Sequence, residues 1–357
     1  MRYFTCHCCD NRLFIDNTLC QSCHSELGWC SACQTISALT PLGDGRYRCS
    51  GPDCASLLAK CQNYAVENVC NRMIPVHSVE AGIVLCDCCR HNRQIPDLEV
   101  DGHRHRWAKL ESAKRRMFYT LDLLGLPHEV DPQKASPPLT FAFLADEVPS
   151  DDGEWQSHHA LDPVYTGHAD GLITINVKEA DDVERERLRR DFKEAQRTLI
   201  GHFRHEVAHY YWDLLIKGHD EEAACIAVFG DHNSPSYAEA LERYYAVGAP
   251  ADWAERHVSA YATMHPWEDF AETFAFYLDM VAVLDTAGNF GITPTGYEED
   301  LHAMLTTFQR LGMALNEVNR EMGLVDIVPE IITPALYAKL EYVHELILRQ
   351  LLQSTAN

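Results

Sequence analysis

Fourteen of the 15 cysteines lie between Cys6 and Cys89, and only Cys225 lies beyond them. Nothing else in the chain restricts its fold as strongly. A short Cys-dense segment with no secretory leader ahead of it reads as metal binding before disulfides. The spacing Cys6-x2-Cys9 followed by Cys20-x2-Cys23 is that of a zinc ribbon. In such knuckles two thiolates reach one tetrahedral Zn²⁺ while nearby backbone amides stabilise the sulfurs. Cys30, Cys33, Cys49 and Cys54 read as a second site, and Cys61, Cys70, Cys86 and Cys89 as a third. An alternative joins Cys30 and Cys33 to Cys86 and Cys89. Two to three structural zinc ions are therefore expected, with Cys8, Cys88 and Cys225 left over. A site with four thiolates has no open coordination position, so these metals support folding. A surface that recruits a partner is the residual functional role of the module.

Charge divides the chain in the same place. The first 110 residues carry 11 Lys/Arg and 11 Asp/Glu, so the remainder holds the whole net charge of −23. An acidic body of this size disfavours nucleic acid and anionic lipid as partners. No run of 18 apolar residues occurs, which excludes a membrane-spanning helix, and the N-terminus lacks the apolar core of a signal peptide. A cytoplasmic protein is expected, with a multi-zinc ribbon module in residues 1–100 and a second domain in residues 101–357.

Helical periodicity dominates the second domain. It marks Arg106–Leu124, Glu184–Leu215, Tyr237–Val247, Trp267–Leu284, Glu298–Met322 and Pro334–Leu352, while Leu139–Leu144 and Gly171–Val177 read as strands. Asp131–Pro138 reads as a linker. The fold class is α+β, mostly helical with a small sheet.

Two motifs fall on the predicted helices. His205-Glu206-Val207-Ala208-His209 is HExxH. Residues four apart share a helix face, so both imidazoles reach one zinc and Glu206 sits beside it as general base. The metzincin continuation is absent, since Trp212 and Leu215 occupy its Gly and His places. A third ligand must come from elsewhere, and Glu268 and Glu272 lie one turn apart on an aromatic helix opened by Pro266. One carboxylate as ligand and the other bonded to a ligand histidine is what a glutamate zincin needs. Spacing alone does not say which is which.

HEVAH, Tyr261 seven residues before Glu268, and the run E-D-F-A-E-T-F-A resemble the lethal-factor-like glutamate zincins. CHCCDNRLFIDNTLCQSC, CRHNRQIPDL and YAEALERYYAVGAPADW resemble bacterial zinc-binding metallopeptidases with an N-terminal zinc ribbon, over nearly the whole chain. The resemblance implies a zincin-like metallopeptidase domain with one catalytic zinc on His205, His209 and Glu268. It also implies Glu206 as base, Tyr261 as donor to the oxyanion and Glu272 as support for a ligand. His202 reads as a capping or core-edge residue, Tyr210 and Tyr211 as core, Cys225 as a buried thiol, and His158, His159 and His168 as solvated loop histidines, with a role toward substrate as their alternative.

The expected activity is zinc-dependent hydrolysis of peptide bonds in a protein or peptide substrate, with the Gly171–Val177 strand as the edge along which an extended peptide lies. A ribbon adaptor that binds metal without cleaving is the alternative from another class. A second alternative is a nucleic-acid-associated protease using Arg90, Arg93, Arg104, Arg106 and Lys109, which the charge balance disfavours.

Overall fold

The structure is a computed structural model that describes residues 1–131, 133, 137–149, 155–157, 164–191, 198–294, 296, 300–326, 328–329 and 331–355. It divides into two compact units. The first comprises Met1–Arg116, Phe141–Val164 and Asn176–Ala180, and the second Met117–Thr140, Tyr165–Ile175 and Asp181–Asn357. Among the described residues, no helix is long and apolar enough to cross a membrane.

The first unit is built on short strands punctuated by cysteines. β1 (Phe4–Thr5) pairs with β2 (Arg12–Leu13). β3 (Leu27–Cys30), β4 (Thr35–Gly43), β5 (Arg46–Cys49), β6 (Leu57–Lys60) and β7 (Met73–Pro75) form an antiparallel sheet in chain order. Two short helices, α1 (Gln62–Ala65) and α2 (Val76–Glu80), flank β7 in sequence. After the second cysteine of the first three CxxC pairs comes a left-handed residue: Asp10 (φ 58°), His24 (φ 57°) and Gln34 (φ 51°). That reversal folds each knuckle back on itself, at a conformational cost that tight sulfur packing must offset.

Beyond the cysteines, β8 (Asn92–Gln94) is followed by the helix α3 (His103–Leu123), and β9 (Thr140–Leu144) pairs with β8 in parallel. β10 (Glu147–Pro149) and β11 (Trp155–Ser157) make a small hairpin. Trp107 and Leu110 of α3 are fully buried, and so are the polar Glu111 and Lys114. Glu111 satisfies three donors: Asn92 Nδ2 at 2.7 Å, Trp107 Nε1 at 3.1 Å and Lys114 Nζ at 3.0 Å. Arg115 donates to Val69 O at 2.8 Å and Ser112 to Asp16 at 2.8 Å. The compact unit of the cysteines thus runs on through Arg116 of α3, beyond residue 100.

Among the described residues, the second unit is mainly helical and also holds the hairpin of β12 (Gly167–Ala169) and β13 (Leu172–Asn176). Asp170 (φ 48°) and Gly171 (φ 80°) both adopt the left-handed region, which a two-residue Asp-Gly hairpin turn requires. This corrects two expectations. His168 lies on β12 with its side chain 1% exposed, so it is no solvated loop histidine. β13 carries β12 on one side and Thr140 N–H bonds to Gly171 O, so among the described residues the outer strand is β12 rather than Gly171–Val177. His158 and His159 lie outside the described residues, as do four positions of the expected linker.

The expected helix Glu184–Leu215 is not continuous. α4 (Asp182–Asp191) and α5 (Leu199–Leu215) are separate, because Thr198 is extended and its side chain accepts from Gly201 N to cap α5. A Thr that satisfies an orphan amide starts a helix rather than continuing one. α6 (Glu222–Phe229) and α7 (Tyr237–Val247) follow, the latter opened by a capping box between Ser236 and Glu239. α8 (Pro266–Asn289) has Pro at its first position and His265 as its cap. α9 (Leu301–Glu321) starts at the Asp300 cap, and α10 (Pro334–Thr355) ends the described chain. Glu298, the expected start of α9, lies outside the described residues.

α5 packs against α8 through aromatic side chains. Tyr211 stacks on Phe274 with centroids 5.4 Å apart, and Phe270 lies 5.7 Å from Phe274. Phe203, Val207, Tyr210, Tyr211, Phe270, Phe274 and Tyr277 are all at 0% exposure. Tyr210 and Tyr211 are thus core. Removing Phe274 would leave a cavity between the two helices. Phe274→Ala should lower unfolding free energy by about 3–5 kcal/mol. A denaturant titration showing less than about 1 kcal/mol would mean that α8 is not anchored there.

Candidate metal centres

The aromatic packing of α5 on α8 decides which side chains of the two helices face each other. His205 and His209 then lie one turn apart on the face that meets Glu268. His205 Nε2 and His209 Nε2 are 3.1 Å apart, and Glu268 Oε2 is 3.0 Å from the first and 3.4 Å from the second. Three lone-pair-bearing atoms converging like this repel one another unless a cation lies among them. Bonds of about 2.0–2.1 Å in tetrahedral geometry put ligand atoms about 3.3 Å apart, which is the spacing seen. The residues fit a zinc ion.

The surroundings orient these groups. Glu272, one turn after Glu268, lies 2.6 Å from His205 Nδ1. A proton held at Nδ1 leaves the Nε2 lone pair facing inward. His209 is fixed differently, its ring lying 3.8 Å from that of Trp267. Asp269, between the two glutamates, turns away and pairs with Lys339 at 2.6 Å. Glu206 is buried beside the imidazoles, and burial raises its pKa while His205 and His209 pull it down. The Tyr261 ring is 6.2 Å from that of His205; burial and then the Glu268 charge hold its phenol protonated, well above its ordinary range. His202, a turn before His205, is half-buried and outside the converging set.

One neighbour was not legible in the sequence. Tyr237, at the start of α7, donates to Glu268 Oε1 at 2.9 Å. Its only signal was its place at the head of the YAEALERYYAVGAPADW stretch. His168, which the sequence presents as a loop histidine, accepts at Nε2 from Gly171 N at 3.0 Å, and burial lowers its pKa to about 3. A cavity of about 440 Å³ lies beside these groups, lined by His168, Trp212, Asp213, Tyr237, His265 and Trp267 among others.

The cysteines gather into Cys6/Cys9/Cys20/Cys23, Cys30/Cys33/Cys49/Cys54 and Cys61/Cys70/Cys86/Cys89. The alternative partnership of Cys30 and Cys33 with Cys86 and Cys89 does not occur. Sulfur separations are 3.7 Å for Cys6–Cys23, 3.6 Å for Cys9–Cys20, 3.8 Å for Cys30–Cys54, 3.7 Å for Cys33–Cys49 and 3.8 Å for Cys70–Cys86. A disulfide needs about 2.05 Å, whereas a tetrahedron of bonds near 2.3 Å gives about 3.8 Å. Amides reach the sulfurs as knuckles require, for example Cys89 N to Cys86 Sγ at 3.3 Å. The third set is wholly buried, and its surplus negative charge when metallated needs compensation. Buried Arg72, Lys114 and Arg115 supply it. Of the leftover cysteines, Cys8 is exposed, Cys88 buried, and Cys225 buried with its thiol pushed up to about 12 by desolvation. Within the suggested basic patch, Arg104 already pairs with Glu67.

Comparison with known proteins agrees with this chemistry. Residues 103–346 match the family described as "Putative zinc-binding metallo-peptidase", and residues 3–100 match a zinc-ribbon domain. Uncharacterized proteins of Mycobacterium tuberculosis H37Rv and of Mycobacterium bovis are each 34% identical over 357 residues, covering 97% of this chain and 95% of the relative. No solved structure matches significantly.

Proposed function

The chain belongs to the zinc-binding metallo-peptidase family that its residues 103–346 match, and from this premise we propose that it hydrolyses peptide bonds at the centre formed by His205, His209 and Glu268. The observation that carries the reading is the convergence of those three ligand atoms beside a buried glutamate. Such a set is of the glutamate zincin type, and it leaves a coordination position open. A zinc ion held there supplies Lewis acidity toward a carbonyl oxygen and lowers the pKa of a water molecule.

The chain's own groups do the rest. Glu206 takes a proton from the attacking water and returns it to the leaving amine; its raised pKa brings it nearer to the value a proton shuttle needs. Tyr261 stays protonated and donates a hydrogen bond to the oxygen that gains charge. Glu272 keeps the His205 proton on Nδ1. An extended peptide adds to the outer strand β12, whose His168 also lines the cavity into which a substrate side chain projects. The ribbon sites within residues 1–100 have no open position, so they hold the fold and offer a surface for a partner. Thiols grouped at metal spacing rather than in disulfides suit a reducing cytoplasm.

Purified protein should contain about four zinc ions per chain, one at this centre and three among the thiolates. Glu268→Ala should lower the content to about three, because one of three protein ligands is lost. Glu272→Ala should retain the fourth ion with about 10- to 100-fold weaker affinity. A content near one in the parent protein would defeat the ribbon assignment.

Glu206→Gln keeps the side-chain shape but cannot accept a proton. The variant should keep its zinc and lose at least about 100-fold in hydrolysis of a proteome-derived peptide library, read by mass spectrometry. Zinc retained with no Glu206-dependent cleavage in the parent protein would favour the adaptor reading instead.

A further inference from the structure

Glu268 poses a geometric problem that its position alone does not solve. Its side chain is 2% exposed, so both oxygens need partners within the protein. Oε2 faces the two imidazoles and has no hydrogen-bond donor. Oε1 accepts from the Tyr237 hydroxyl at 2.9 Å. A carboxylate can bind a metal through one oxygen or both, and a donor on the outer oxygen biases that choice.

We propose that Tyr237 is a positioning residue of the centre: its phenol pins Oε1 of Glu268, so that Oε2 alone is presented to a metal between His205 and His209. The inference rests on the reading of Glu268 as a ligand given above. Tyr237 is itself held on three sides. The capping box fixes the start of its helix, Ser236 N donating to Glu239 Oε2 at 3.0 Å. Its ring meets Trp267 edge-on with centroids 5.5 Å apart and His265 at 5.4 Å. Trp267 also lies on His209, so one indole braces both a ligand imidazole and the phenol that orients the ligand carboxylate. Tyr237 also lines the 440 Å³ cavity, which places this hydrogen bond at the wall a substrate would touch.

The test uses the full-length protein and Tyr237→Phe, which removes one oxygen from a residue that is 36% exposed. Competition against a chelator should show zinc binding at this centre weakened about 10- to 100-fold, with the four-thiolate sites unaffected. With cobalt(II) placed at the histidine centre, the visible bands should lose intensity and shift, as Glu268 swings to two-oxygen coordination. That spectrum reports local coordination in folded protein, which a general loss of stability would not alter. Unchanged affinity and an unchanged cobalt spectrum, with Glu268→Ala still losing the metal, would overturn the role of Tyr237 alone. Retention of the metal by Glu268→Ala would overturn the ligand reading, and this inference with it.

Discussion

The contact between α5 and α8 is the constraint from which the rest of the second unit follows. Tyr211, Phe270 and Phe274 are fully buried there, and their packing fixes the rotation of each helix about its axis. Once that rotation is set, the polar stripe of α5 must face the polar stripe of α8. The apolar faces account for the position, and the charged groups account for the chemistry. Burying two imidazoles and a carboxylate together is costly without a cation, so the aromatic packing holds in place three ligand atoms at a spacing that suits a metal.

The first unit solves a different problem. Its strands are two to nine residues long, and a sheet of such pieces buries little apolar surface. Three sets of four sulfurs at tetrahedral spacing are placed to hold metal ions that would supply the missing cross-links. Desolvation appears here as a charge requirement: the most buried set is the one ringed by Arg72, Lys114 and Arg115. Lys114 in turn needs Glu111, which needs Asn92 and Trp107. These hydrogen bonds tie α3 to β8, which follows the last knuckle in sequence.

Much of this was legible in the sequence, and the reasons it was or was not are specific. His205 and His209 could be read because four residues make one helical turn, a purely local rule. The Cys6 to Cys23 set could be read because ribbon spacing is equally local. Glu268 and Glu272 share a face, so sequence spacing could not separate them; the structure turns Glu268 toward both imidazoles and Glu272 toward the outer nitrogen of one. The break before α5 was missed because charged periodicity continues past it, and only the Thr198 cap marks it. His168 was misread because Asp170-Gly171 is a hairpin turn rather than a loop. Tyr237 was unreadable, since its bond to Glu268 spans 31 residues and depends on tertiary packing alone.

Diffraction from crystals of the purified protein at the zinc absorption edge tests the central claim most directly. The account predicts an anomalous peak about 2.0–2.2 Å from His205 Nε2, His209 Nε2 and Glu268 Oε2, with Glu272 still on His205 Nδ1. A peak coordinated by Glu272 with Glu268 turned away, or no peak between the two imidazoles, would contradict it.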